Sequence, residues 1–221
     1  MNKKRIILGM LFVVFVMSMI VVDVSGGFSY WGRSILKVSM FGLIPGFFIV
    51  KRVSFKTLFS QGKHFKYILL LSIFIISVVL VGYFILDQFN AFSSVSTSLK
   101  QQVGVTLANY PYVFVYVILI NGPLEEFYFR FVMMDVDLFK SKNIQAIFSS
   151  FLFSIYHVGM LFSMFPFYLF VLAIAGLMLV GFVFIKINQQ NKGILYSTSL
   201  HMAANLGINI VGAIILFSPS L

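Results

Sequence analysis

Apolar runs long enough to cross about 30 Å of hydrocarbon recur along the whole chain, and they leave it few ways to fold. In a bilayer the backbone must satisfy its own hydrogen bonds, so each run becomes either a helix or a strand of a closed barrel. Unbroken apolar stretches well beyond strand length select the helix. Seven spans are expected: Ile6–Val22, Ser34–Val50, Tyr67–Leu86, Pro111–Met134, Ile144–Met160, Phe162–Ile185 and Ile194–Phe217. The expected fold is all-α, a polytopic transmembrane helix bundle forming a single integral-membrane domain over residues 1–221. Residues 1–110 supply the N-terminal spans, and residues 111–217, the fourth to seventh spans, carry the polar motifs.

Composition excludes several alternatives. Charged residues are 10% of the 221, against about a quarter in soluble domains. There is no cysteine, which removes disulfides, thiolate catalysis and Cys-ligated metal. The net charge of +10 is not a nucleic-acid footprint, because the bases are distributed as a membrane protein distributes them. With the N-terminus in the cytoplasm, the inside segments hold Lys3, Lys4, Arg5, Lys51, Arg52, Lys56, Lys63, Lys66, Lys140, Lys142, Lys186 and Lys192. The outside loops hold Lys100, with Arg33 at a border. This asymmetry also supports the second span, which contains Lys37 and Pro45: without it every later basic loop would change sides. Met1–Val22 has the basic start of a signal peptide but no A-x-A-like site after it, so a retained span is expected. Val53–Lys66 reads as a basic loop or an amphipathic helix on the cytoplasmic leaflet.

The only two glutamates, Glu125 and Glu126, are adjacent in the fourth span, with Arg130 one turn on. A charge at mid-bilayer costs roughly 3 kcal/mol on insertion scales, so intramembrane ionisable groups are functional candidates by default. Glu126 and Arg130, four apart, share a helix face and are expected to pair, which lowers the cost of burying both. Glu125 is rotated by roughly 100° from that face and is left for chemistry. Asn121-Gly122-Pro123 just before it loosens the helix. His157 lies in the fifth span, and His201 and Asn205, again four apart, lie in the seventh beside Ala203, Ala204 and Gly207, which permit close helix approach. Counted from Lys140 and Lys142, Glu125 and His157 are each roughly 22 Å from the cytoplasmic edge, and Asn205 about 20 Å. His201, at about 13 Å, is expected nearer the mouth of a cytoplasm-facing cavity.

Three spaced motifs now stand in order: Glu125-Glu126-x-x-x-Arg130, Phe153-x-x-x-His157 and His201-x-x-x-Asn205. Together they resemble the intramembrane protease family (CPBP, or Abi) that includes the prenyl-protein CAAX proteases and bacterial bacteriocin-processing or immunity proteins. The matched region runs from about Asn121 to Gly207. The resemblance implies peptide-bond hydrolysis inside the membrane of a peptide or membrane-protein substrate, in bacteriocin maturation or self-immunity. It implies Glu125 as the base that activates water and His157 as the residue holding that water. His201 and Asn205 would stabilise the oxyanion, and Glu126–Arg130 would be a structural pair. A positioned carboxylate and donors aimed at a developing oxyanion suit a site from which most water is excluded. The expected location is the cell membrane, multi-pass, with the site opening toward the cytoplasm and with the bilayer and a substrate, not nucleic acid, as partners.

Two histidines and a glutamate (Glu125, His157, His201) also form a reasonable zinc set with an open position. The chain lacks a His-Glu-x-x-His helix, and a metal-free glutamate mechanism is expected, with zinc as the alternative. A non-catalytic immunity or scaffold protein acting by binding is the competing function, and a proton-coupled transporter fits poorly because no internal repeat is evident.

Overall fold

The computed structural model describes residues 3–49, 58, 65–136, 138–191 and 193–217. Helices account for nearly all of these, and no strand occurs among them. Among the described residues five helical runs are long and apolar enough to cross a membrane. They are α1 (Lys3–Ser25), α3 (Phe65–Asp87), α5 (Lys142–Tyr156, running on past His157 to Leu161), α6 (Phe167–Asn191) and α7 (Leu195–Phe217). The second and fourth expected spans correspond to helical runs 30–49 (α2) and 110–135 (α4). Both are broken internally by π-helical turns: Val38–Leu43 in α2, and Val117–Asn121 and Glu126–Val132 in α4. Multiple apolar helices of this kind make the chain a multi-pass membrane protein. Most of Val53–Lys66 lies outside the described residues.

The ends of the helices alternate as a serpentine bundle requires. Arg5 at the start of α1 faces Asp135 at the end of α4, 3.9 Å away. Lys186 near the end of α6 donates to Asn143 at the start of α5, at 2.7 Å. These four ends share one side of the bundle. At the other side Arg33 lies 3.8 Å from Asp23, and Ser98 donates to the Ser163 carbonyl at 2.8 Å.

Lipid gives no hydrophobic drive for helix association, so packing and small residues decide which helices meet. α3 is the peripheral case: Leu69, Leu70, Phe74, Val81 and Phe84 are all exposed. It leans on α7, where a side chain on Gly207 would stand 3.2 Å from Val79. α1, α2, α4 and α5 meet instead in a core of Phe12, Met19, Phe41, Tyr128, Phe129 and Phe153. Phe41 stacks on Tyr128 with ring centres 4.1 Å apart, and the Tyr128 hydroxyl donates to the Phe12 carbonyl. Gly42 packs inside this bundle, since a Cβ there would lie 2.8 Å from Leu124.

Candidate active site

Every polar side chain singled out in the spans is brought to one place between α2, α4, α5 and α7. The π turns set the local geometry. Such turns re-aim side chains and are frequent at functional sites. Lys37 immediately precedes the π turn of α2, Asn121 ends the first one of α4, and Glu126 and Arg130 lie within the second. The loosening expected at Asn121-Gly122-Pro123 is taken up as π winding rather than as a break. The Gly122 N–H reaches back to the Val117 carbonyl, and that same carbonyl accepts from Asn205 Nδ2 at 3.0 Å.

Glu125 is not unpartnered, which corrects the expectation drawn from its own helix face. Lys37 pairs with its Oε1 from α2, and Asn121 Nδ2 donates to the same oxygen at 3.0 Å. Lys37 also donates to Asn121 Oδ1, closing a three-membered polar ring, and stands 4.7 Å from the centre of the Tyr156 ring. Helix-face reasoning missed this because the partner sits 88 positions away on another helix. The signal was present nonetheless: Lys37 is itself a charge inside an apolar run, and what burdens a span is also what marks a site.

The other oxygen of Glu125 faces the histidines. Oε2 lies 3.5 Å from His201 Nε2 and 3.9 Å from His157 Nε2, and it is buried with no hydrogen-bond partner among the described residues. Both rings are held from behind. His157 Nδ1 is 2.7 Å from the Phe153 carbonyl, and His201 Nδ1 is 2.8 Å from Glu126 Oε1. With the Nδ1 proton assigned to those acceptors, each neutral ring presents a bare Nε2 toward Glu125. The ring of His157 takes the carbonyl that its own backbone N–H would take in an α-helix. Its N–H turns instead to the Ser154 carbonyl at 3.1 Å, and the regular winding of α5 is interrupted at that residue.

His201 is not at the mouth of a cavity but buried between the two glutamates, 8% exposed. A depth counted at a constant rise per residue takes no account of the π turns in α4. Asn205 is likewise buried, with Nδ2 only 2.9 Å from where a Cβ on Gly122 would stand. Glu126 pairs with Arg130 as expected, at 3.4 Å from Nε, in an ion pair whose geometry falls short of a hydrogen bond. It also accepts from His201, so its contact is not confined to its own helix. The guanidinium of Arg130 lies 3.8 Å above the centre of the Phe153 ring, a cation–π contact that offsets part of its desolvation. Phe153 meets both histidine rings edge-on as well, at 4.8 and 5.9 Å between centres. A cavity of about 290 Å³, lined by Leu58, Arg130, Lys142, Asn188 and Ile194 among others, approaches this group from the end where α5 begins.

Among the described residues no group of three or more histidines, aspartates and glutamates has the spacing of a metal site. Glu125, His157 and His201 do converge, but the Lys37 ammonium already occupies the carboxylate they would share. A divalent cation there would sit against a buried positive charge, so the donor set does not fit zinc.

The fold and site together define a helical membrane protein with a buried charged cluster at its core. Residues 107–207 match the family model described as Type II CAAX prenyl endopeptidase Rce1-like, consistent with the CPBP resemblance of the three motifs. Comparison with curated proteins and with solved structures finds no match.

Proposed function

We propose that this chain is an intramembrane endopeptidase that hydrolyses a peptide bond of a membrane-associated peptide or protein with water activated by Glu125. The observation that carries this reading is the approach of Glu125 Oε2 to the bare Nε2 atoms of His157 and His201, inside the segment that matches the protease family. Three acceptor atoms facing one another suit a water molecule, which supplies the two protons they lack. Glu125 Oε2 takes one proton from the water as its oxygen bonds to the substrate carbonyl carbon, and His157 Nε2 orients it through the other. The carbonyl oxygen becomes the oxyanion. Asn205 has one amide hydrogen on the Val117 carbonyl and the second left for that oxyanion. His201 stays neutral, its Nδ1 proton held by Glu126 Oε1, and its Nε2 is a further acceptor for the water beside Glu125 Oε2. The proton held by Glu125 then passes to the leaving amine as the C–N bond breaks, and the carboxylate is restored. Access from the end where α5 begins, through the cavity that reaches Arg130, agrees with a cytoplasm-facing site under the charge asymmetry of the loops. Maturation of a bacteriocin-like peptide is the process we assign to it, and zinc is not required.

The test needs no prior substrate. Cells producing either the wild-type chain or Glu125→Gln at equal folded levels are compared for new protein N-termini in the membrane fraction. N-termini present with the wild type and missing with the variant are expected. Identical sets, together with an unchanged cellular phenotype, would sink the protease reading in favour of a protein acting by contact.

A further inference from the structure

The two oxygens of Glu125 have unequal surroundings, and the residue that makes them unequal lies outside the segment that matches the protease family. Oε1 receives Lys37 Nζ and Asn121 Nδ2, while Oε2 receives no hydrogen bond and faces the two histidines. Resting on the reading of Glu125 as base, we propose that Lys37 is a positioning residue that anchors Glu125 Oε1 together with Asn121 and thereby makes Oε2 the oxygen that takes the proton.

The geometry is specific to that task. A carboxylate on a flexible side chain presents either oxygen, and rotation of the carboxyl group exchanges them. Two donors on one oxygen, each fixed from elsewhere, remove that freedom. Asn121 is fixed because its Oδ1 accepts from Lys37 while its Nδ2 donates to Glu125. Lys37 is fixed because its ammonium is buried 4.7 Å from the centre of the Tyr156 ring and 6.0 Å from that of Phe41. The groups around Glu125 are Lys37 from α2, Asn121 from α4, His157 from α5 and His201 from α7, with Asp23 of α1, Tyr156 of α5 and Arg130 of α4 also interacting electrostatically with its carboxylate. Charge points the same way. With neutral histidines the buried groups Lys37, Arg130, Glu125 and Glu126 sum to zero, so the base remains a carboxylate without help from a metal or a protonated ring. Removing Lys37 would leave one negative charge in excess in hydrocarbon, and a lone buried carboxylate neutralises itself by taking up a proton. A protonated Glu125 accepts nothing from water. The first three helices therefore do more than frame the catalytic segment, because one of them sets the state of its base.

Infrared spectroscopy of the purified chain tests this without a substrate. The Glu125 signal is defined as the difference between wild type and Glu125→Gln at neutral pH. In the wild type it is expected to be a carboxylate pair of bands, in Lys37→Met a protonated carboxyl band, and in Lys37→Arg a carboxylate again. Processing of the N-termini that depend on Glu125 is expected to fall at least about tenfold in Lys37→Met and to recover at raised pH, a recovery that a purely structural lesion would not show. A folded Lys37→Met with wild-type carboxylate bands and wild-type processing overturns the inference. If Lys37→Met does not fold, Asn121→Ala keeps the charge and removes one donor from Oε1. A changed splitting of the carboxylate bands supports the anchoring, and an unchanged splitting overturns it. Failure of the base reading is separable: in that case Glu125→Gln leaves processing intact, whatever the bands of the Lys37 variants show.

Discussion

Glu125 and Glu126 are neighbours on one helix, yet they serve two different pockets. The pocket of Glu125 is shared by four helices, and its carboxylate has one anchored oxygen and one aimed at two histidines. The pocket of Glu126 is built from Arg130 one turn away and His201 across the interface, both converging on Oε1. The first arrangement leaves an oxygen poised for chemistry. The second spends its oxygen on holding other groups in place. Two charges of the same type, one residue apart, thus have different surroundings, and in the proposed mechanism they separate into a base and an orienting group.

The largest expected effect falls on the first pocket. Glu125→Gln keeps the size and the Asn121 contact but cannot accept a proton, so processing should drop by about 10²–10⁴, the range that a positioned base contributes. Its folded yield in detergent should fall less than that of Glu126→Gln, since Lys37 retains Asn121 Oδ1 as an acceptor, and processing is compared at equal folded levels. Retained cleavage would erase the distinction between the two pockets. For Glu126→Gln the balance reverses. Arg130 is buried, stacked on Phe153 and left without its counter-charge, and breaking such a pair typically costs about 3–5 kcal/mol. The midpoint of thermal unfolding should fall, and Glu126→Gln with Arg130→Met should recover most of it. Cleavage should weaken as well, because the His201 ring loses the carboxylate that holds its Nδ1 proton.

Much of this was legible in sequence, for an identifiable reason. Period and length locate helices, and charges in hydrocarbon are so expensive that their positions on the chain nearly announce a site. Glu125, His157 and the His201–Asn205 pair come together because they sit on the inner faces of three different helices. What was not legible depends on contacts between helices distant in sequence. No pattern within α4 reveals Lys37 on α2, and no helical wheel reveals that Glu126 reaches His201. The π turns were equally hidden, since Asn121-Gly122-Pro123 signals weakness in a helix without saying whether it kinks, breaks or widens. Phe153 passed unremarked as the first letter of a motif. In the structure its carbonyl fixes one histidine and its ring carries Arg130.

A smaller effect separates the two pockets through Asn205. A Cβ added at Gly122 would stand 2.9 Å from Asn205 Nδ2 and 3.8 Å from the His201 ring, so Gly122→Ala pushes on the oxyanion side and leaves Lys37 and Glu125 Oε1 untouched. Overpacking of this kind costs about 1–3 kcal/mol. Processing should fall about tenfold with the Glu125 infrared bands unchanged, and a shift in those bands would mean the pockets are not separable. Smaller still is Asp135→Asn at the end of α4. Its partner Arg5 is 3.9 Å away and both side chains are partly exposed, so the change should cost less than about 1 kcal/mol in unfolding and nothing in processing.

The smallest expected effect is that of chelation, and it bears on the same comparison. The site holds two carboxylates and two basic side chains, one cation to each glutamate. A divalent cation on Glu125 Oε2 would lie within the same carboxylate as the Lys37 ammonium, and little solvent is present to screen the repulsion. Prolonged treatment of the purified chain with a strong chelator should therefore leave both unfolding temperature and processing unchanged. In Lys37→Met the repelling charge is gone, and zinc should protect that variant from unfolding more than it protects the wild type. Stoichiometric zinc in active wild-type protein, with loss of activity on chelation and recovery on re-addition, would reverse the assignment and make Lys37 a competitor of the metal rather than its replacement.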